Sequence, residues 1–228
     1  SKSTHYCPGA KWGELRSLVH GTTTMQGQPS AASSCIDWGI RNANRYHGLG
    51  YDHMRGSIGS VRDFDDAYAD SLIVDFDKAI EPTTRFVVHM CEGVTGDHVD
   101  EEFDSFAGRD PRMNRHNGVS LLHKGTSVLI HSLILTPAQL QEAKDNDAKV
   151  VWSPSSNFAL YGSGATAPIG DILDLGITTG LGPDWTVSGA DEMLSEMRVA
   201  LGHAKTNSIT QVTAEQLWRM ATIDGAKV

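Results

Sequence analysis

The sequence predicts an α/β protein built on a parallel sheet. Short β-rich runs alternate with segments of helical spacing along the chain, the pattern of β–α–β units. One run, Phe86 to Val88, is apolar at every position and reads as a buried strand. With 228 residues the chain can bury one sizeable core, and residues 1–228 read as a single domain.

The elements follow in order. "KWGELRSLVHG" spaces Trp12, Leu15, Leu18 and Val19 as a helix and stops at Gly21. "TTTMQ" is a short strand, "CIDWGIRNANRYHG" a helix and "YDHMRGSI" a further strand. "DFDDAYADSLIVDFDKAI" opens with acidic capping residues and reads as a helix, with "SLIVDF" as a strand alternative. "RFVVHM" is a strand and "DEEFDSFAG" a helix; "TSVLIH" is the next strand. "TPAQLQEAKDND" opens with a capping box from Thr136 to Gln139, with Pro137 at the first helical position. "AKVVWS" is a strand, "PIGDILDLG" a helix and "ITTGLGPD" a strand. "SGADEMLSEMRVALGHA" is a helix capped by Ser188, and "TAEQLWRMAT" carries a second capping box, Thr213 to Gln216. These are six strands, and a barrel needs eight.

Composition narrows the function classes. The chain is 39% apolar and 21% charged with a net charge of −9, an ordinary globular balance that argues against nucleic acid as a partner. The longest apolar stretch, "SVLIHSLIL", is too short to span a bilayer, and no membrane partner is expected. Cys7, Cys35 and Cys91 form no C-x-x-C pair, so no disulfide framework and a cytoplasmic, reducing location are expected. The chain begins without Met and stops within "ATIDGAKV", which reads as a continuing element, so a fragment is expected.

Chemistry gathers at the strand ends. Four strands lead into His89, His131, the "SPSSN" after Trp152, and Asp184; Glu92 follows His89 by three residues. In parallel α/β folds the carboxyl ends of the strands build the site, so these residues are expected to converge. Two imidazoles and a carboxylate suit Zn²⁺, or Fe²⁺, and Glu92 is placed to shuttle a proton. Each residue alone has an ordinary reading: a hydrogen-bonded strand-end histidine, a turn aspartate, a helix-start glutamate, a turn asparagine. Four of them at one face point to a site. The rival signal "GSGATA", residues 162 to 167, matches a dinucleotide loop, but its glycines do not directly follow the strand and Pro168 breaks the geometry. No G-x-S-x-G and no small-deaminase H-x-E…P-C-x-x-C occurs.

"ELRSLVHGTTTMQG", "VVHMCEGV", "LIHSLILTPAQL", "VVWSPSSNFALYG" and "GLGPDWTVSG" stand in an order that resembles the amidohydrolase superfamily, in its branch of cytosine and guanine deaminases and triazine hydrolases. The resemblance implies a (β/α)8 TIM-like barrel, incomplete here because the first strand and the accessory β-domain are not in this chain. It implies His89, His131 and Asp184 at one divalent metal ion, Zn²⁺ first and Fe²⁺ as the alternative. It implies Glu92, His131 and Asp184 as catalytic, and Ser156 and Asn157 as residues that shape the substrate site. The family also draws two ligands from an H-x-H, which is absent among the ten histidines; His5 stands alone, and His53 is the first candidate replacement. With two ligands missing, the metal is expected to be weakly held or absent in this chain.

The function expected on this basis is metal-dependent hydrolysis of a C–N (amine or amide) or C–halogen bond in a small nitrogen-containing compound by a metal-activated hydroxide. Trp185, Phe158 and Tyr161 follow the site motifs as pocket-lining residues. The expected partner is a small-molecule substrate, and a homo-oligomer is allowed. The alternative is a non-catalytic, metal-free ligand-binding protein derived from the same barrel.

Overall fold

The computed structural model describes residues 6–26, 35, 38–43, 54–57, 64, 66–79, 82–94, 99–109, 118, 120–185 and 187–228. Among them a five-stranded parallel sheet runs in chain order: β3 (Met54–Ser57), β4 (Arg85–Met90), β5 (Ser127–His131), β6 (Lys149–Trp152) and β7 (Thr179–Leu181). Each strand pairs with the next in sequence, with no reversal of order. These are staves of a (β/α) barrel rather than the sheet of a doubly wound fold, in which strand order switches. A separate parallel pair joins β1 (Thr24–Met25) to β2 (Arg41–Asn42).

Strand alternation sorts the sheet into two faces. Phe86, Val88 and Met90 of β4, Leu129 of β5 and Val150 and Trp152 of β6 turn toward the helices. There they meet Leu72 and Phe76 of α2 (Asp66–Phe76), Phe103 and Phe106 of α3 (Glu102–Phe106) and Leu140 and Ala143 of α4 (Pro137–Asp145). Ile169 and Ile172 of α6 (Ile169–Asp174), Ala200 and Ala204 of α7 (Met193–Thr206) and Leu217 and Met220 of α8 (Ala214–Ala221) complete that layer. On the inner face Val87, Val128 and Ile130 pack with Met54, Val151 and Val228. A full Leu or Phe side chain removed from water contributes roughly 1.5–3 kcal/mol, so this two-sided burial fixes the register of β4, β5 and β6.

Local sequence rules account for most of the elements. The capping box at α4 forms as read: the Gln139 amide donates to Thr136 Oγ1 at 3.3 Å, and the Thr136 amide donates to Gln139 Oε1 at 2.9 Å. Thr213 Oγ1 caps α8 through the Gln216 amide at 3.1 Å. "SLIVDF" is helical within α2, and helix α1 (Tyr6–Val19) covers the first predicted helix.

Three expectations are corrected. "CIDWGIRNANRYHG" contains β2 where a helix was expected, because Arg41 and Asn42 pair with β1, a nonlocal choice that spacing does not encode. Ser188 does not cap α7. The helix begins at Met193 after Glu192, and the Ser188 hydroxyl meets Ser156 Oγ at 2.8 Å instead. Cys7 and Cys35 form a disulfide with Cα atoms 4.9 Å apart, so the cysteine-based argument for a reducing location falls. Their 28-residue separation hid the approach. Beside it, Glu14 Oε2 accepts the Trp38 and Gly39 amides at 2.7 Å each, fastening that segment to α1. No helix among the described residues is long and apolar enough to cross a membrane.

Thr136→Ala is expected to destabilise the protein by about 1 kcal/mol, the usual worth of an N-cap, read as a lower denaturant midpoint at unchanged m-value.

Candidate active site

The carboxyl ends of β4, β5 and β7 are marked by backbone that leaves the strand conformation abruptly. Cys91, His131, Ser132 and Asp184 have φ of 50°, 69°, 55° and 66°, left-handed values that side-chain-bearing residues adopt at a cost of order 1 kcal/mol or more. His131 shows the consequence. Alternation along β5 would send it outward with Leu129, yet its ring lies beside that of His89, with centroids 5.2 Å apart. His89 itself shares the inner face of β4 with Val87.

The turn after β4 is held by a buried carboxylate. Glu102 Oε2 accepts the Cys91 amide at 2.8 Å, fixing the turn that presents His89 and Glu92 to the same space. Glu92 is anchored in turn by Tyr161, whose hydroxyl donates to Oε1 at 2.9 Å. Burial, and then the carboxylate it serves, push the Tyr161 phenol above its ordinary value, so it remains a donor. After β7, a Cβ on Gly189 would fall 1.5 Å from the Pro183 carbonyl oxygen, so only glycine closes the loop that carries Asp184.

Helix α5 (Pro154–Tyr161) grows out of the "SPSSN" segment, with Pro154 at its first position, and reaches three site residues. Ser156 Oγ donates to Asp184 Oδ2 at 2.6 Å. Asn157 Oδ1 meets His131 Nδ1 at 3.0 Å. Tyr161, at the far end, holds Glu92. Ser156 and Asn157 were expected to shape a substrate pocket. Their side chains are wholly buried and hydrogen-bonded to Asp184 and His131.

The asparagine also settles the imidazole. Trp152 Nε1 and Asn157 Nδ2 both donate to Thr166 Oγ1, at 2.6 Å and 3.2 Å, which turns Asn157 Oδ1 toward the histidine. An oxygen there requires a proton on Nδ1, so Nε2 carries a lone pair. Nε2 is buried and has no hydrogen-bond partner; the nearest acidic atom, Glu92 Oε2, lies 3.5 Å away. That contact is an ion pair only if the ring is protonated. Burial, the largest influence, holds the His131 pKa below its ordinary value, although Glu92 pulls it up, so the neutral ring is favoured. Two lone-pair-bearing atoms thus face one another across a gap with no hydrogen between them. An electrophile fits that gap.

His89, Glu92 and His131 each offer a ligand atom, all within 4.8 Å of one another. Asp184 lies outside this group, with one oxygen taken by Ser156. Trp185 is 56% exposed beside it, and the Phe158 ring packs at a tilt on His203 of α7 with centroids 5.0 Å apart. His5 and His53 lie outside the described residues. Sequence reasoning did not single out Glu102 or Thr166, and named Tyr161 only as a pocket wall; Tyr161 and Glu92 are 69 residues apart, and no local pattern joins them.

No family model matches the chain. Curated relatives do. A 5-methylthioadenosine/S-adenosylhomocysteine deaminase of Haloquadratum walsbyi is 26% identical over 212 residues, covering 91% of this chain and 46% of the relative. The Haloarcula marismortui protein of the same name is 30% identical over 142 residues, covering 61% of this chain and 32% of the relative. Among solved structures, an adenosine deaminase of Xanthomonas campestris with bound zinc superposes with a TM-score of 0.67 at 18% identity, covering 96% of this chain and 55% of that one. The chain is similar to these deaminases in sequence and shares the barrel fold of the solved structure. A triazine hydrolase variant superposes equally well, TM-score 0.67 at 20% identity, covering 97% of this chain and 58% of that one. The structural likenesses establish the barrel fold, and the chain spans about half the length of the first relative.

Amidohydrolase barrels imply a divalent metal, and the residues here fit one. Two imidazoles and a carboxylate form a donor set that catalytic zinc uses, and the orphaned His131 Nε2 aims its lone pair into the group. The Asn157 bond to Nδ1 is of the kind that orients a histidine toward a metal through its other nitrogen.

Cys91 sits in this turn as a buried free thiol. Burial first, then the Glu102 carboxylate, push its pKa up to about 12. Without reductant, iodoacetamide at about pH 8 is expected to leave the folded protein unlabelled and to label one thiol after denaturation; rapid labelling of the folded protein would contradict the placement.

Proposed function

We propose that this site performs metal-dependent hydrolysis of a C–N bond, or a C–halogen bond, in a small nitrogen-containing compound, with Zn²⁺ as the metal. The observation that carries the reading is the buried His131 Nε2, which has no hydrogen-bond partner and lies 3.5 Å from Glu92 Oε2. A metal-free binding protein has no use for two opposed acceptors beside a second histidine. Deamination is the favoured form of the reaction, because the matched curated relatives are named as deaminases. Bound zinc in the Xanthomonas campestris adenosine deaminase supports the choice of metal.

The chain's own residues have distinct tasks. His89 and His131 would hold the metal from the inner face, with Glu92 at its edge and Asp184 approaching from β7. The metal supplies a Lewis acid that makes water a nucleophile near neutral pH. The water oxygen bonds to the sp² carbon and the C–N bond to the amino group breaks; one water proton leaves with that group as ammonia, and the other ends on the ring nitrogen of the carbonyl product. Glu92 Oε2 is free to face the reacting atoms because Tyr161 holds Oε1, so Glu92 carries a proton from water to the leaving nitrogen. Asp184, fixed by Ser156, accepts the other.

Ammonia release from 5-methylthioadenosine, S-adenosylhomocysteine, adenosine and guanine tests the reading on the zinc-loaded full chain. Glu92→Gln is expected to lower kcat by about 10²–10⁴-fold with metal content unchanged, since the amide keeps size and reach but cannot carry a proton. Asp184→Asn is expected to reduce metal content and activity together. Near-normal kcat in Glu92→Gln at matched metal content would remove the proton-shuttle role.

A further inference from the structure

Helix α5 has a weakness at its start. Ser153 occupies the N-cap position but makes no side-chain capping bond, and Pro154 follows it, so the first turn depends on a partner from elsewhere. The partner comes from α7. Glu196, wholly buried, accepts the Ser155 amide at Oε1 over 3.0 Å, across 41 residues of sequence. Its Oε2 and the Ser155 hydroxyl are both buried without a hydrogen-bond partner. A buried carboxyl is costly unless the contacts it makes matter.

We propose that Glu196 is a positioning residue that replaces the missing cap of α5 and thereby sets the hydrogen bonds from Ser156 to Asp184 and from Asn157 to His131. The assignment rests on the reading of the site given above and extends it to the residue that holds the site's supports. Ser156 and Asn157 are the next two residues after the amide that Glu196 grips, so a turn released at Ser155 displaces both. Loss of the Asn157 bond would free the His131 ring to change tautomer and rotate, and the Nε2 lone pair would no longer be aimed. Burial pushes the Glu196 acid above its ordinary value, opposed by the hydrogen bonds it accepts. The role needs only an acceptor oxygen facing the Ser155 amide, which a carboxylate or an amide carbonyl supplies.

The test compares Glu196→Ala, Glu196→Asp and Glu196→Gln by NMR of the metal-free full chain, with Thr136→Ala as a destabilised control remote from the site. Two signals are read: amide exchange at Ser155, Ser156 and Asn157, and the slowly exchanging His131 Nδ1–H resonance. Glu196→Ala is expected to speed exchange at those amides by about tenfold or more, the effect of losing one buried hydrogen bond, and to abolish the imidazole signal. Glu196→Gln retains both, because its carbonyl can still accept from Ser155. Thr136→Ala loses stability yet moves neither signal. If Glu196→Ala does not fold, Glu196→Asp, whose shortened carboxyl cannot reach the amide, decides in its place. The proposal is overturned if the deciding variant leaves both signals intact, if Glu196→Gln loses them too, or if Thr136→Ala moves them equally. Neither signal needs metal or substrate, so failure here is separate from failure of the proposed chemistry.

Discussion

The hydrogen bond between His131 Nδ1 and Asn157 Oδ1 is the interaction on which the site depends. It places the imidazole proton on the side away from Glu92 and leaves the other nitrogen bare in a buried space. Without it, Nε2 could carry a proton and satisfy Glu92 as an ordinary neutral hydrogen bond, and nothing would call for a cation. With it, the strand ends present opposed lone pairs that water, a proton or a metal must reconcile. The bond is reinforced by the chain from Asn157 through Thr166 to Trp152, which fixes which end of the amide faces the ring. Networks of this kind hold their value only when every member is satisfied.

The surrounding fold is arranged to support that geometry. Parallel strands in chain order bring His89 and the backbone of His131 side by side, since Met90 is the register partner of His131. Left-handed residues at three strand ends redirect the chain where an ordinary strand would carry the side chains elsewhere. Each such residue lowers stability, and compensation comes from contacts outside the strand: Glu102 on the Cys91 amide, Ser156 on Asp184, Asn157 on His131. A single eight-residue helix, α5, supplies two of these supports and also steadies Glu92 through Tyr161. The tight core beneath, with Trp152 and Leu129 fully buried, gives the strand ends a rigid base.

What the sequence revealed follows the range of the forces involved. "RFVVHM", "SVLIH" and "KVVW" were legible as strands because apolar runs of that length have few other uses. Thr136 and Thr213 were legible as caps because a hydroxyl and the amide three residues on are neighbours in the chain. His89, Glu92 and His131 were legible as a site because all three follow or end strands on the same face. The segment around Arg41 and the Cys7–Cys35 bond were not, since both depend on partners that meet only in the folded chain. "SPSSN" was read only as a polar group at a strand end, with Asn157 as a turn residue on its ordinary reading. Pro154 at the first position was the available sign of a helix, and the burial of Ser156 and Asn157 could not be read without β7 and β5 in place. Glu102 and Glu196 look like solvated helix charges in sequence, and only their burial marks them as structural acceptors.

The most direct test of the central claim is a Co²⁺ titration of the metal-free protein followed by visible absorption, since Co²⁺ takes zinc-type donor sets and reports their geometry. A site built on His89 and His131 predicts a saturable set of d–d bands in the parent protein that disappears in both His89→Ala and His131→Ala. Bands that persist unchanged in His131→Ala, or a parent protein that develops none at excess Co²⁺, would contradict the account.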